Sequence, residues 1–183
     1  MLETDRLILR EMTREDAEAL LTIFADPETM RFYPNPFDRA KTAAWIQWNL
    51  QNYQQYGFGL WALTLKVTGE LIGDCGLVVQ QVEDAKEIEI GYHVRRDLWG
   101  RGIATEAART CRDYGFNQLN CDRLISLIHP ANLVSRRVAE KTGMNLIKEM
   151  VWREKPTCLY AIDKFSIATG SISSAGLNPN TRA

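Results

Sequence analysis

The sequence predicts an α+β domain built on a mixed central sheet, and three observations predict it. Residues 60 to 79 are β-rich and read as a hairpin. Strand and helix patterns then alternate from Glu87 to Gly143, and two more strand patterns follow. A helix between the strands at 87–95 and 123–128 calls for a parallel pairing, because parallel strands need a long crossover.

Each element has its own local warrant. Arg6 to Arg10 reads as a short strand. Thr13 offers a helix N-cap, with Asp16 where a capping box would place Glu, and Ala17, Leu20, Leu21 and Phe24 follow at helical spacing. Pro27, Pro34 and Pro36 make 26–37 mostly loop, with room for a short helical turn. Asp38 caps a second helix to about Tyr56, which carries Trp45, Trp48, Asn49, Asn52, Tyr53 and Tyr56 near one side and ends at Gly57 and Gly59. Leu60 to Val67 and Glu70 to Val79 are hairpin strands around Thr68-Gly69. Glu87 to Arg95 is a third strand. Ile103, Ala107, Cys111 and Tyr114 mark the next helix, Arg123 to Ile128 a strand, and Leu133 to Thr142 a helix ended by Gly143. Strands at 145–153 and 158–165 complete a domain over 1–165; the Ser-, Gly- and Asn-rich stretch 166–183 reads as a disordered tail.

Composition narrows the function. The 183 residues carry a formal net charge of −1. That balance offers no basic excess for a phosphate backbone, so nucleic-acid partners are not expected. No apolar run approaches a membrane span, and Met1 to Arg6 does not resemble a signal peptide. Cys75, Cys111, Cys121 and Cys158 are widely spaced and there are two histidines, so neither structural zinc nor a disulfide framework is expected. Reduced cysteines and a cytoplasmic location are the expectation.

Chemistry concentrates in Trp99-Gly100-Arg101-Gly102-Ile103-Ala104, between a strand and a helix. Glycines permit positive φ and a close approach of backbone to ligand. The first amides of a helix lack intrahelical partners and carry the positive end of its dipole, which suits a pyrophosphate. Gly-x-Gly alone is equally compatible with a simple joining turn. The segment lacks the Gly-Lys-Ser/Thr ending of a nucleotide P-loop. Further on, Asn132 fits a helix cap, with Ser135 inside the first turn.

Taken together, Glu89-Ile90-Gly91-Tyr92, then Trp99-Gly100-Arg101-Gly102-Ile103-Ala104-Thr105-Glu106-Ala107, then Asn132-x-x-Ser135-x-x-Val138-x-Glu140-Lys141-x-Gly143-Met144 resemble the GNAT acetyltransferase superfamily. Within it, the opening Leu2-Glu3-Thr4-Asp5-Arg6-Leu7-Ile8-Leu9-Arg10 is similar to the ribosomal-protein N-terminal (alanine/serine) acetyltransferase branch. The family's signature has Gln or Arg where Trp99 stands, a side chain that a cradle of backbone amides does not require.

The resemblance implies a sheet splayed open at the cofactor site, with helices on both faces. It implies acetyl-CoA as co-substrate and no metal. Tyr92, His93 and Val94 would lie beside the pantetheine arm, Arg101, Gly102, Ile103, Ala104 and Thr105 around the pyrophosphate, and Asn132 and Ser135 across the opening. A substrate amine would attack the thioester directly, with a backbone N–H of 92–94 stabilising the oxyanion. Deprotonating a lysine at pH 7 costs on the order of 4–5 kcal/mol, and an α-amine only about 1–1.5 kcal/mol, so an N-terminal acceptor needs a modest base. Glu89 is the candidate base or water-orienting group, Ser135 the candidate acid toward the CoA thiolate, and Tyr92 a second one; Glu154 is an alternative base. The acceptor groove falls to 26–59. The acceptor is expected to be a protein or peptide N-terminus, ribosomal or other, with an antibiotic, polyamine or amino acid as the alternative, or a non-catalytic acetyl-CoA sensor. Family members are often dimers, so a homodimer is one state open to the chain. His93 and His129 are read as structural.

Overall fold

The computed structural model describes residues 1–164; Phe165 and the tail read at 166–183 lie outside the described residues. Twelve elements are labelled in chain order: β1 Leu2–Glu3, β2 Leu7–Arg10, α1 Ala17–Phe24, α2 Arg39–Tyr56, β3 Leu60–Leu65, β4 Leu71–Val82, β5 Ala85–Val94, α3 Ile103–Asn117, β6 Arg123–Ile128, α4 Leu133–Lys141, β7 Asn145–Trp152 and β8 Lys155–Asp163.

Local chemistry fixes the helix ends. The Asp16 carboxylate accepts from the Thr13 amide at 2.8 Å, half of a capping box with Asp in place of Glu, and pairs with Arg10 at 2.6 Å. The turn that follows is 3-10, so α1 begins at Ala17 and buries Leu20, Ile23 and Phe24. Asp38 caps α2 by accepting from the Lys41 amide at 2.8 Å, and Gly57, at φ 77°, closes it. The polar residues on the inner side of α2 are put to structural use. Asn49 accepts from the Leu60 amide at 2.8 Å, while the Tyr53 hydroxyl donates to the Leu60 carbonyl and accepts from the Met12 amide. That hydroxyl stitches α2 to β3 and to the chain just past β2.

One sheet runs β1-β2-β3-β4-β5-β6-β8-β7. Every neighbouring pair is antiparallel except β5–β6. β4 and β5 form a hairpin that pairs from Gly73↔Val94 to Val82↔Ala85, longer than the sequence pattern implied. The extension adds Gln80, Gln81 and Val82 to one strand and Ala85 and Lys86 to the other, where the polar Gln80, Gln81 and Lys86 hide the strand signal. β1 is a two-residue edge strand that the sequence reading omitted.

Side-chain alternation sends residues to opposite faces. Trp61, Leu63, Ile72, Cys75, Leu77 and Ile90 pack with α3 and α4 on one face. Leu60, Ala62, Leu71 and Val78 pack with α1 and α2 on the other. All four cysteines are buried and unbridged. Among the described residues no helix is long and apolar enough to cross a membrane.

Candidate active site

The sheet opens between β5 and β6. These strands share a single register pair, Glu89↔Ile125. Beyond it, side chains take the places of ladder partners. The Ser126 hydroxyl donates to the Ile90 carbonyl at 2.9 Å, and the Leu127 amide donates to Glu89 Oε1 at 3.1 Å. Glu89 Oε2 accepts from Gln80 Nε2 at 2.8 Å, and Gln80 in turn accepts from Arg153 at 3.3 Å. Desolvation pushes the Glu89 carboxyl above the usual glutamate range, against the pull of the Gln80 and Leu127 donors. Glu89 therefore lies at the root of the opening, half-buried and hydrogen-bonded rather than solvated.

The glycine segment closes the far end of the same gap. Gly100 and Gly102 stand at φ 74° and 77°, the left-handed region that favours glycine. Glu106 is the first residue of α3 whose amide closes a helical bond, to the Gly102 carbonyl. Among the described residues, the amides of Ile103, Ala104 and Thr105 find no acceptor. Open donors at a helix N-terminus, an exposed Arg101 and clear space where a Gly100 side chain would stand fit a pyrophosphate. The opening motif of the chain braces this turn. Arg6 donates to the Arg101 carbonyl at 3.0 Å and pairs with Glu106 at 2.5 Å, and Thr4 also bonds Glu106. Trp99, at the atypical position, donates its indole N–H to the Val94 carbonyl at 2.6 Å, which ties the end of β5 to the turn.

Backbone direction decides what each residue of 92–94 presents. The His93 amide reaches Asp74 on β4, and the Ile90 carbonyl reaches Ser126 on β6. Alternation then turns the amides of Tyr92 and Val94 to the open edge and the His93 backbone to β4. The Tyr92 side chain lies on the α3–α4 face, where its hydroxyl donates to the Ser135 carbonyl at 2.9 Å and burial pushes its pKa up. Asn132 caps α4 by accepting from the Ser135 amide at 3.1 Å, as its cap reading expects. The Ser135 side chain is half-buried at that helix start.

On the α1–α2 face, two consecutive loop residues engage both histidines. Phe32 stacks on His129, just past β6, with ring centroids 5.0 Å apart. The Tyr33 hydroxyl lies 2.8 Å from His93 Nε2, on β5. His93 Nδ1 contacts Asp74 at 2.7 Å, and Asp74, fully buried, also accepts from Trp45 Nε1 at 2.8 Å. Asp74 escaped the sequence reading. Its signal was a carboxylate between glycines in an otherwise apolar strand, which requires buried donors. Trp45 and Phe37 pack with Phe24 against the core of this face. Glu154 is exposed at the β7–β8 turn.

The geometry agrees with kinship. The Acetyltransferase (GNAT) domain family matches residues 6–145, and the chain belongs to that family. It is therefore an acyl-CoA-dependent N-acetyltransferase. It is 44% identical over 160 residues to the uncharacterized protein YkkB of Bacillus subtilis (strain 168), covering 87% of this chain and 93% of that one. A crystal structure of an acetyltransferase from Agrobacterium tumefaciens strain C58 superposes with a TM-score of 0.77 at 32% identity, covering 88% of this chain and 92% of that one. Two more distant structures share the fold alone. One is the ribosomal L7/L12 alpha-N-protein acetyltransferase RimL in complex with coenzyme A, with 16% identity, a TM-score of 0.70 and coverage of 87% and 95%. The other is the aminoglycoside acetyltransferase AAC(6')-Ib in complex with coenzyme A, with 18% identity, a TM-score of 0.75 and coverage of 89% and 99%.

Proposed function

We propose that the chain binds acetyl-CoA in the β5–β6 opening and acetylates a single primary amine presented from the α1–α2 face, foremost a peptide or protein N-terminus. The observation that carries this reading is the one-pair seam at Glu89↔Ile125, ending in the acceptor-free amides at the start of α3. Arg101, Gly102, Ile103, Ala104 and Thr105 hold the pyrophosphate. The Tyr92–Val94 edge takes the pantetheine arm, and Asn132 and Ser135 flank it from α4. Bound there, acetyl-CoA supplies an activated thioester. The Tyr92 amide, on the open edge, then meets negative charge developing on the acyl oxygen.

Proton handling follows from burial and place. Glu89, with its affinity for protons raised by burial, accepts a proton from the amine directly or through water. The Ser135 hydroxyl serves the departing thiolate, and Tyr92 holds the α4 turn that carries it. The single-amine reading rests on charge: Glu89 on this face is offset by the Gln80–Arg153 chain, and a polycation such as an aminoglycoside needs a more acidic surface.

Acetyl-CoA at 100 times its dissociation constant should stabilise the fold by about 2.7 kcal/mol. Gly102→Glu, which forces a side chain into positive φ and a carboxylate into the cradle, should remove that shift. No stabilisation of the unsubstituted protein would defeat the donor assignment. Thiol release against N-terminal peptides, amino acids, spermidine and kanamycin then identifies the acceptor, and selective turnover of kanamycin would defeat the peptide reading.

A further inference from the structure

On the acceptor face, Tyr33, His93 and Asp74 form a chain that the reaction scheme above leaves unused. Asp74 is fully buried in the sheet, and both its oxygens are occupied by donors. Oδ1 accepts from the His93 amide at 3.1 Å and contacts His93 Nδ1 at 2.7 Å, while Oδ2 accepts from Trp45 Nε1 at 2.8 Å. A carboxylate so placed asks for a proton on His93 Nδ1, which leaves Nε2 as an acceptor. The partner of Nε2 is the Tyr33 hydroxyl at 2.8 Å, so the phenol donates inward. Phe24 and Trp45 pack edge-on against the His93 ring, and Phe37 packs against Tyr33. Tyr33 is 36% exposed, so the chain begins at the surface and ends in the core. Burial, Asp74 and Glu89 all push the Tyr33 pKa up, so its resting form is the neutral phenol.

The direction of every bond is that of a relay ending in a base. The polarity matches a hydroxyl–imidazole–carboxylate triad, with phenol in the place of the alcohol. His93 shares the α1–α2 face of β5 with Glu89, and Gly91 lies between them. Glu89 already accepts two hydrogen bonds, whereas the relay has an unfilled entrance at Tyr33 Oη.

We infer that Tyr33, with His93 and Asp74 behind it, takes the proton that the acceptor ammonium must lose before it can attack. One ammonium N–H bond breaks, its electron pair stays on nitrogen, and the proton joins Tyr33 Oη. The phenol O–H bond breaks in concert and its proton forms the His93 Nε2–H bond. The imidazolium is held against the Asp74 carboxylate and returns its proton to water through Tyr33 once product has left. Glu89 receives the second nitrogen proton. Tyr33 is the catalytic residue here, and His93 and Asp74 are positioning residues. The inference rests on the proposed entry of the amine from this face.

Tyr33→Phe keeps the ring and removes the relay's entrance. On whichever amine of the panel the unsubstituted protein turns over, kcat should fall about 10²-fold, within the range of general acid–base catalysis, with the acetyl-CoA KM within twofold. His93→Gln should lose as much, and the double variant no more than His93→Gln alone. Unchanged kcat in Tyr33→Phe, or losses that multiply in the double variant, would overturn the relay. A second readout needs no acceptor. With two histidines in the chain, the imidazole ¹⁵N spectrum is assignable by His129→Gln, and His93 should carry its proton on Nδ1 with Nε2 bare. A proton on Nε2 would overturn the proposal. If no amine is turned over, the acceptor reading fails by itself, and the relay stands or falls on that spectrum.

Discussion

Two seams flank β5, and they are built differently. Toward β4 the strand is paired without a gap over ten residue pairs, Gly73↔Val94 to Val82↔Ala85. Toward β6 it has one pair, after which Ser126 and Glu89 side chains satisfy the groups that a ladder would have used. Buried backbone polar groups must find partners, so a sheet can part only where such substitutes are supplied. The continuous seam holds β5 rigid, and the parted one exposes the amides of Tyr92 and Val94.

Breaking the continuous seam should cost most. A side chain at Gly73 would meet the His93 carbonyl oxygen on β5 at 2.0 Å, so Gly73→Ala should destabilise the fold by about 3 kcal/mol in urea unfolding, the upper part of the overpacking range. At the parted seam, Glu89→Gln should lower turnover about 10²-fold, equivalent to about 2.7 kcal/mol, while leaving acetyl-CoA affinity nearly unchanged. Unaltered turnover would reduce Glu89 to a ladder substitute. Its pH dependence has opposite signs in the two readouts. Because the folded pKa is raised, activity should climb with pH through a limb above the ordinary glutamate range. Stability should fall over the interval between the unfolded and folded pKa, since the folded state binds more protons there, and the Gln variant should lack that fall. Ser126→Ala leaves the Ile90 carbonyl without its donor and should cost about 1–2 kcal/mol. The smallest effect is expected of Trp99→Phe. It should lose about 1 kcal/mol and weaken acetyl-CoA binding a few-fold, measured by calorimetry, as the link from Val94 to the cradle loosens.

The same contrast separates what the sequence discloses from what it conceals. Most elements were legible because they rest on local rules: Asp38 as cap, Gly57 as stop, and the strand-glycine-helix order at Gly102. The glycine turn that opens α3 was legible for the same reason. Its brace was not, since Arg6 meets Glu106 across a hundred residues of chain. Glu89 was marked as a candidate from the family motif and its face of the strand. That it also accepts from Leu127 depends on where β6 diverges, which no local pattern encodes. Tyr33 and His93 were each noticed separately, but Asp74, which gives their contact a direction, lay unremarked inside an apolar strand.

The faces of the sheet carry one more consequence. The cradle opens α3, which packs on one face, while the Phe32–Tyr33 loop lies over the other, held at His129 and His93 on either side of the gap. A donor and an acceptor that enter from opposite faces need not take turns. Initial-rate lines at varied concentrations of the two should intersect rather than run parallel, and CoA should compete with acetyl-CoA without competing with the amine. The order of events in a turnover would then be set by the two-sidedness of a β-sheet.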